Sequence, residues 1–208
     1  MTTVHVIGDS HANLFAGRDG FQVHYLGAVL AYSLCESGAK SRGREKFFGV
    51  LAALPKSSTV LLCFGEIDCR VMLGRRRLYP GKSVEEVVKV CADRYCRVLD
   101  EVAGMGFKVL VYNVEPPAPG GEKLRGTYPS EGTHEERTFV ASVFNSEVAA
   151  HCKTMANLVF VDLWAKLRDA EGKIPDRYFV DAAHLSKQAF PIVNEVVTGA
   201  LRKGLGHE

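Results

Sequence analysis

The sequence predicts an α/β fold, a three-layer sandwich with a parallel sheet between helices, on three observations. Short apolar, β-branched runs recur along the chain: Val4-His5-Val6-Ile7, Thr59-Val60-Leu61-Leu62-Cys63-Phe64, Lys108-Val109-Leu110-Val111-Tyr112 and Leu158-Val159-Phe160-Val161. Runs this apolar fit strands covered on both faces. Longer segments of helical spacing separate them, and strands alternating with helices produce crossovers that bury a sheet on both sides. The third observation is size: 208 residues, 47% of them hydrophobic, fit one compact domain spanning residues 1–208.

Taken in order, the first run passes directly into Gly8-Asp9-Ser10-His11. The segment from Gly20 to Gly43 stays open, because Phe21-Gln22-Val23-His24-Tyr25 reads either as a short strand or as a loop feeding a helix near Ala28 to Leu34. Beyond the second run, Val84, Val87, Val88, Cys91, Tyr95, Val98, Leu99 and Val102 recur at helical spacing, and Gly104 and Gly106 supply a stop. Glu115 to Gly132, rich in Pro and Gly, reads as one long loop after a strand. That position lies at the carboxyl edge of the sheet, where ligands gather in such folds. Thr133 and Glu136 have capping-box spacing and open a helix through Phe139, Val143, Phe144 and Val148. A last helix follows Ser186.

Lys and Arg total 26 against 24 Asp and Glu, a net charge of +2, which provides no strong field for nucleic acid or an anionic membrane. The cluster Arg75-Arg76-Arg77 is too short to change that. The six cysteines form no C-x-x-C pair, so reduced and mostly buried thiols are expected rather than a disulfide framework or a zinc ribbon. No secretion signal and no apolar stretch of membrane-spanning length is visible, and the expectation is a soluble, cytoplasmic protein without a membrane partner.

The Gly8-Asp9-Ser10-His11 turn places a small nucleophile where a strand yields to a loop, and glycine permits the tight turn. Backbone amides exposed there can hold an oxyanion. Serine needs a base to take its proton, and Ser10 reads equally as a helix cap. Val180-Asp181-Ala182-Ala183-His184-Leu185-Ser186, far down the chain, supplies acid and base together. A carboxylate three residues before an imidazole can hold one ring nitrogen and leave the other facing a hydroxyl. The pairing of these two segments favours Ser10 as nucleophile, His184 as base and Asp181 as its orienting acid.

With these blocks, and with Gly65-Glu66-Ile67-Asp68-Cys69-Arg70, Val111-Tyr112-Asn113-Val114 and Glu135-Glu136-Arg137 between them, the sequence resembles the SGNH (GDSL-like) hydrolases over nearly its whole length. The resemblance implies a flavodoxin-like five-stranded sheet and metal-free, cofactor-free ester hydrolysis through an acyl-enzyme. Its oxyanion would be held by the nucleophile's amide, a loop glycine and an asparagine. The short acyl group, acetyl above all, on a small-molecule or glycan ester is what the family's range suggests. Carried over by position, the oxyanion donors are Ser10 and Gly27, although Gly27 also reads as a packing glycine before Ala28. The chain departs from the Gly-x-Asn-Asp pattern at Ile67, which occupies the asparagine's place and brings no donor. Arg70 offers a replacement guanidinium, or else braces the loop by pairing with Glu66 or Asp68. Asn113 offers another donor toward the substrate, or satisfies backbone groups of the Pro116-Pro117 loop. His11 reads as a substrate contact or as packing beneath the loop, Cys69 as packing, and His5 and His24 have no partner visible in sequence.

Two rivals remain at this level. Gly-Asp-x-His also opens metallophosphoesterases, but their two-metal sites need an Asn-His element and the chain contains no Asn-His pair. A catalytically weak SGNH-like module that binds an acylated glycan or partner is the other, supported by Ile67 and opposed by the intact Ser10, Asp181 and His184.

Overall fold

The computed structural model describes residues 3–119 and 129–204. Its five strands are β1 (Val4–Gly8), β2 (Phe21–Tyr25), β3 (Thr59–Cys63), β4 (Lys108–Tyr112) and β5 (Leu158–Val161). They form one wholly parallel sheet in the order β2-β1-β3-β4-β5, the expected flavodoxin-like arrangement. The open segment resolves as a strand: Phe21–Tyr25 pairs along β1 at the sheet edge. Its half-buried pattern explains why its sequence does not read like the central strands.

Alternation along the strands divides the interior into two cores. Ile7, Val60, Leu62, Val109, Val111 and Leu158 face one core. Val4, Val6, Leu61, Cys63, Leu110, Tyr112 and Val161 face the other. The first core is roofed by α1 (Gly43–Ala53), α4 (Val84–Gly104) and α5 (His134–Cys152), through residues such as Phe47, Leu99 and Phe144. The second is covered by α7 (Phe190–Gly204) and by a 3-10 turn, Ser10–Phe15, through Val193, Val197 and Phe15. These are the three layers.

Helix boundaries follow local chemistry. Capping boxes open α4, between Ser83 and Glu86, and α5, between Thr133 and Glu136. Gly106, at φ +91°, ends the α4 region in the left-handed conformation that glycine adopts without a Cβ penalty. The helix expected near Ala28 to Leu34 is a 3-10 turn at Ala31–Cys35. Three short helices had no clear sequence signal: α2 (Glu66–Arg70), α3 (Met72–Arg75) and α6 (Trp164–Leu167). All six cysteines are free, and five are buried. The expected loop from Glu115 to Gly132 has no helix or strand in its described parts, and residues 120–128 of it lie outside the described residues. No described helix is long and apolar enough to cross a membrane.

Candidate active site

Ser10 leaves the sheet two residues beyond β1, at the carboxyl edge. Gly8 is required there, because a Cβ on it would strike the Cys63 carbonyl oxygen and approach the Cys63 Cβ to 2.8 Å. Asp9 is fully buried and accepts the His11 amide at 3.0 Å, which caps the turn carrying Ser10. The segment bearing Asp181 and His184 is held as a tight loop: the Val180 amide donates to the His184 carbonyl at 3.0 Å and the Ser186 amide to the Tyr178 carbonyl at 2.7 Å.

These two segments, 174 residues apart, bring His184 Nε2 to 2.7 Å from Ser10 Oγ. His184 Nδ1 lies 2.9 and 3.0 Å from the two Asp181 oxygens. Burial alone would raise the Asp181 pKa; hydrogen bonds from the Ala183 amide and from the His184 ring and amide outweigh it and hold the carboxylate below its usual range. The Ala183 and His184 amides donate to Asp181 Oδ1 at 2.8 and 2.9 Å, so the acid is fixed independently of the imidazole. Beside this constellation lies an open groove of about 560 Å³, lined by Ser10, Asn13, Leu14, Arg18, Val180 and Lys187 among others.

Of the expected oxyanion donors, Ser10 and Gly27 have amides that donate to no partner among the described residues. Gly27 follows β2 at the same sheet edge, at φ +86°, where a Cβ would meet open space. Its conformation, rather than crowding, is what calls for glycine. Arg70 takes the bracing role instead of the donor role. Its Nε donates to Glu66 at 2.9 and 3.2 Å and its guanidinium reaches the Pro129 carbonyl at 2.5 Å, outside the groove. Asp68 pairs elsewhere, with Arg75 at 3.4 Å, and accepts the Ala31 and Tyr32 amides.

Asn113 is likewise corrected as a substrate contact. It is buried, its amide nitrogen donates to the Val114 carbonyl at 2.9 Å and its oxygen accepts the Leu163 amide at 3.3 Å. His11 does not line the groove either. It is 5% exposed, stacks on the His184 ring with centroids 4.7 Å apart, and spends both ring nitrogens on carboxylates. Those carboxylates are Glu115 at 2.9 Å and Glu66 at 3.3 Å. Burial pulls the His11 pKa down, but the charge and hydrogen bonds of Glu115 and Glu66 raise it well above the ordinary imidazole value, which favours the imidazolium form. Glu66 is held charged by the same contacts and by Arg70, against the cost of its burial. Tyr112 donates to Glu115 at 3.1 Å, completing a chain Arg70–Glu66–His11–Glu115–Tyr112 whose central His11 ring lies against the His184 ring.

Sequence reasoning missed Glu115 and the role of Glu66. Their signal was burial of charge at strand ends, which one sequence does not display. His5 and His24 also find a partner, each other, with Nδ1 and Nε2 3.1 Å apart across β1 and β2. Among the described residues, no group of three or more His, Cys, Asp or Glu is arranged to hold a metal ion.

No family model and no curated protein matches the sequence. Solved structures do match. A GDSL-like lipase from Bacteroides thetaiotaomicron superposes with a TM-score of 0.64 at 15% identity, covering 97% of this chain and 88% of that one. The acetyl xylan esterase AlAXEase gives 0.56 at 15% identity over 96% of this chain and 100% of the other. TesA gives 0.51 at 15% identity over 98% and 99%. At these identities the likeness is one of architecture, and the chain has the three-layer α/β fold of the SGNH (GDSL-like) hydrolases.

Proposed function

We propose that the protein is a serine esterase that hydrolyses short-chain acyl esters, acetyl esters of carbohydrates among them, through Ser10, His184 and Asp181. The observation that carries this reading is the unbroken chain of hydrogen bonds from Ser10 Oγ through His184 to Asp181, opening on a groove. Ser10 Oγ forms a bond to the ester carbonyl carbon as its proton passes to His184 Nε2, and Asp181 stabilises the imidazolium. The tetrahedral oxyanion takes the Ser10 and Gly27 amides as donors. Collapse expels the alcohol, which leaves with the proton from His184. Water, giving a proton to His184, then attacks the acyl-enzyme, and the acid leaves as the bond to Ser10 Oγ breaks and His184 returns the proton to that oxygen. The acetyl xylan esterase among the structural neighbours is compatible with an acetyl group.

A second reading, a binder that holds an acylated ligand with little turnover, draws on the absent side-chain donor at Ile67 and on Arg70 being committed to Glu66 and Pro129. One lost oxyanion donor costs about 10²–10³ in rate, which weakens a catalyst without abolishing it. A two-metal phosphoesterase is disfavoured by the donor chemistry: His11 has both ring nitrogens on carboxylates and Asp9 is sealed in the interior.

Short-chain aryl ester hydrolysis by wild type and Ser10→Ala, with mass spectrometry after a serine-directed phosphonate, tests the proposal. The expected result is a single adduct on Ser10 and a loss of roughly 10⁴–10⁶-fold in kcat for Ser10→Ala. An adduct elsewhere, or full activity in the variant, overturns the mechanism. A labelled but nearly inactive wild type selects the binder.

A further inference from the structure

The groove beside Ser10 has an uneven charge. Three ionisable side chains besides His184 line it: Arg18, Lys187 and Asp181. The carboxylate is spent, since both Asp181 oxygens face His184 and one also accepts two backbone amides. The two cations are not spent: among the described residues neither Arg18 nor Lys187 has an ion-pair or hydrogen-bond partner for its side chain. Arg18 is nevertheless held in place, its guanidinium lying over the Phe190 ring at 4.2 Å from the centroid. A stacked guanidinium keeps its edge donors free for a ligand while losing little side-chain freedom on binding.

From this we infer that the esters this site selects carry an anionic group, a carboxylate or a phosphate, on the part that does not react. Arg18 and Lys187 bind that group while Ser10 attacks the carbonyl. The walls between them, Leu14, Ala16, Val180 and Leu185, are apolar and lower the local dielectric, which strengthens attraction between the cations and the anion. Asn13 lines the same wall. A groove of about 560 Å³ has room for an acidic sugar or aromatic unit besides an acetyl group. Net charge of the whole chain hides this, because +2 over 208 residues averages away a local pair.

The catalytic arm of the test rests on the esterase reading; the binding arm does not. In the first, kcat/KM is measured for matched esters: phenyl acetate against 4-acetoxybenzoate and 4-acetoxyphenyl phosphate, and phenyl butyrate against phenyl hydrogen succinate. Wild type is expected to prefer an anionic member by about 10-fold at low salt. The ratio should fall toward one at high salt and in the Arg18→Gln/Lys187→Gln double variant, whose folding is checked by circular dichroism. The carboxylate and phosphate arms show which anion is favoured, and the acetate and succinate pairs show which side of the ester carries it. In the second arm, Ser10→Ala is titrated by NMR with the same esters. A tighter Kd for an anionic member, lost when Arg18 and Lys187 are also replaced, supports the inference even if no ester is turned over. Equal affinities for charged and neutral esters, or a preference that survives the double variant, overturn it.

Discussion

Replacing His11 by Leu leaves the buried Glu115 carboxylate without its cation and the half-buried Glu66 with Arg70 alone. Breaking such a pair costs roughly 3–5 kcal/mol, read as a lower midpoint in urea. The pH dependence is distinctive. His11 has its folded-state pKa raised well above 6.5, so its stabilisation is complete below about pH 6.5 and is lost as pH rises through the raised folded value. The gap in stability between wild type and His11→Leu should therefore narrow on the alkaline side, and a gap that widens there contradicts the imidazolium assignment. Asp9 titrates in a lower window. Burial, its largest influence, pushes its pKa from 3.8 to about 6, although His11 opposes the change, and its Oδ2 is buried without a partner. The protonated form thus favours folding below pH 3.8, and the advantage is lost between 3.8 and about 6. Asp9→Asn is expected to gain on wild type over that interval by about 3 kcal/mol in urea unfolding. The juxtaposition of Ser10, Asp181 and His184 was legible because the roles proposed for them need particular residue types at fixed spacing. Glu115 and the His11 stack were not, because their roles come from burial and from residues 104 apart meeting at the sheet edge.

At the scale of elements, the central strands were legible for a physical reason: β3 is buried at all five positions, and its sequence is accordingly apolar from Val60 to Cys63. The edge strand β2 is only half covered and tolerates Gln22 and His24, which left it open between strand and loop. The short helices α2 and α3 are too brief to display a period, and α2 instead depends on Asp68 tethering the Ala31–Cys35 turn. Junctions between elements impose the sharpest constraints, and glycine substitutions expose them. Gly8→Ala would force β1 from β3 against rigid backbone, at a cost of about 1–3 kcal/mol or more. Because Ser10 follows two residues later, a displacement of about 1 Å there would also reduce kcat by roughly 10²-fold. Gly49→Ala, inside α1 with no atom near the new Cβ, should instead raise stability by about 0.5–1 kcal/mol through helix propensity. Urea unfolding and ester turnover measured on both variants check the contrast; equal effects would remove the special role given to Gly8.

At the scale of the molecule, one sheet serves two cores, and this bears on whether residues 1–208 behave as one domain. Each central strand sends alternate side chains to opposite faces, Val60 and Leu62 to one and Leu61 and Cys63 to the other. Neither core can lose its sheet while the other keeps its own. The proposed site depends on both faces: Ser10 begins the turn that packs Phe15 into the second core, while α2 anchors Arg70 and Glu66 above the first. A chain of 208 residues is long enough for separate units to unfold apart, so a single transition is a substantive expectation rather than a default. The sole tryptophan, Trp164, packs against the first core and reports on it by fluorescence. Hydrolysis through Ser10 reports on the carboxyl edge, and far-ultraviolet circular dichroism on all helices. Urea curves from the three probes should superimpose. Val193→Ala in α7, on the second core, should shift the Trp164 curve as far as the circular dichroism curve, because the strands transmit the loss. A Trp164 transition left in place while the circular dichroism curve moves would show two units, and the single-domain expectation would fail.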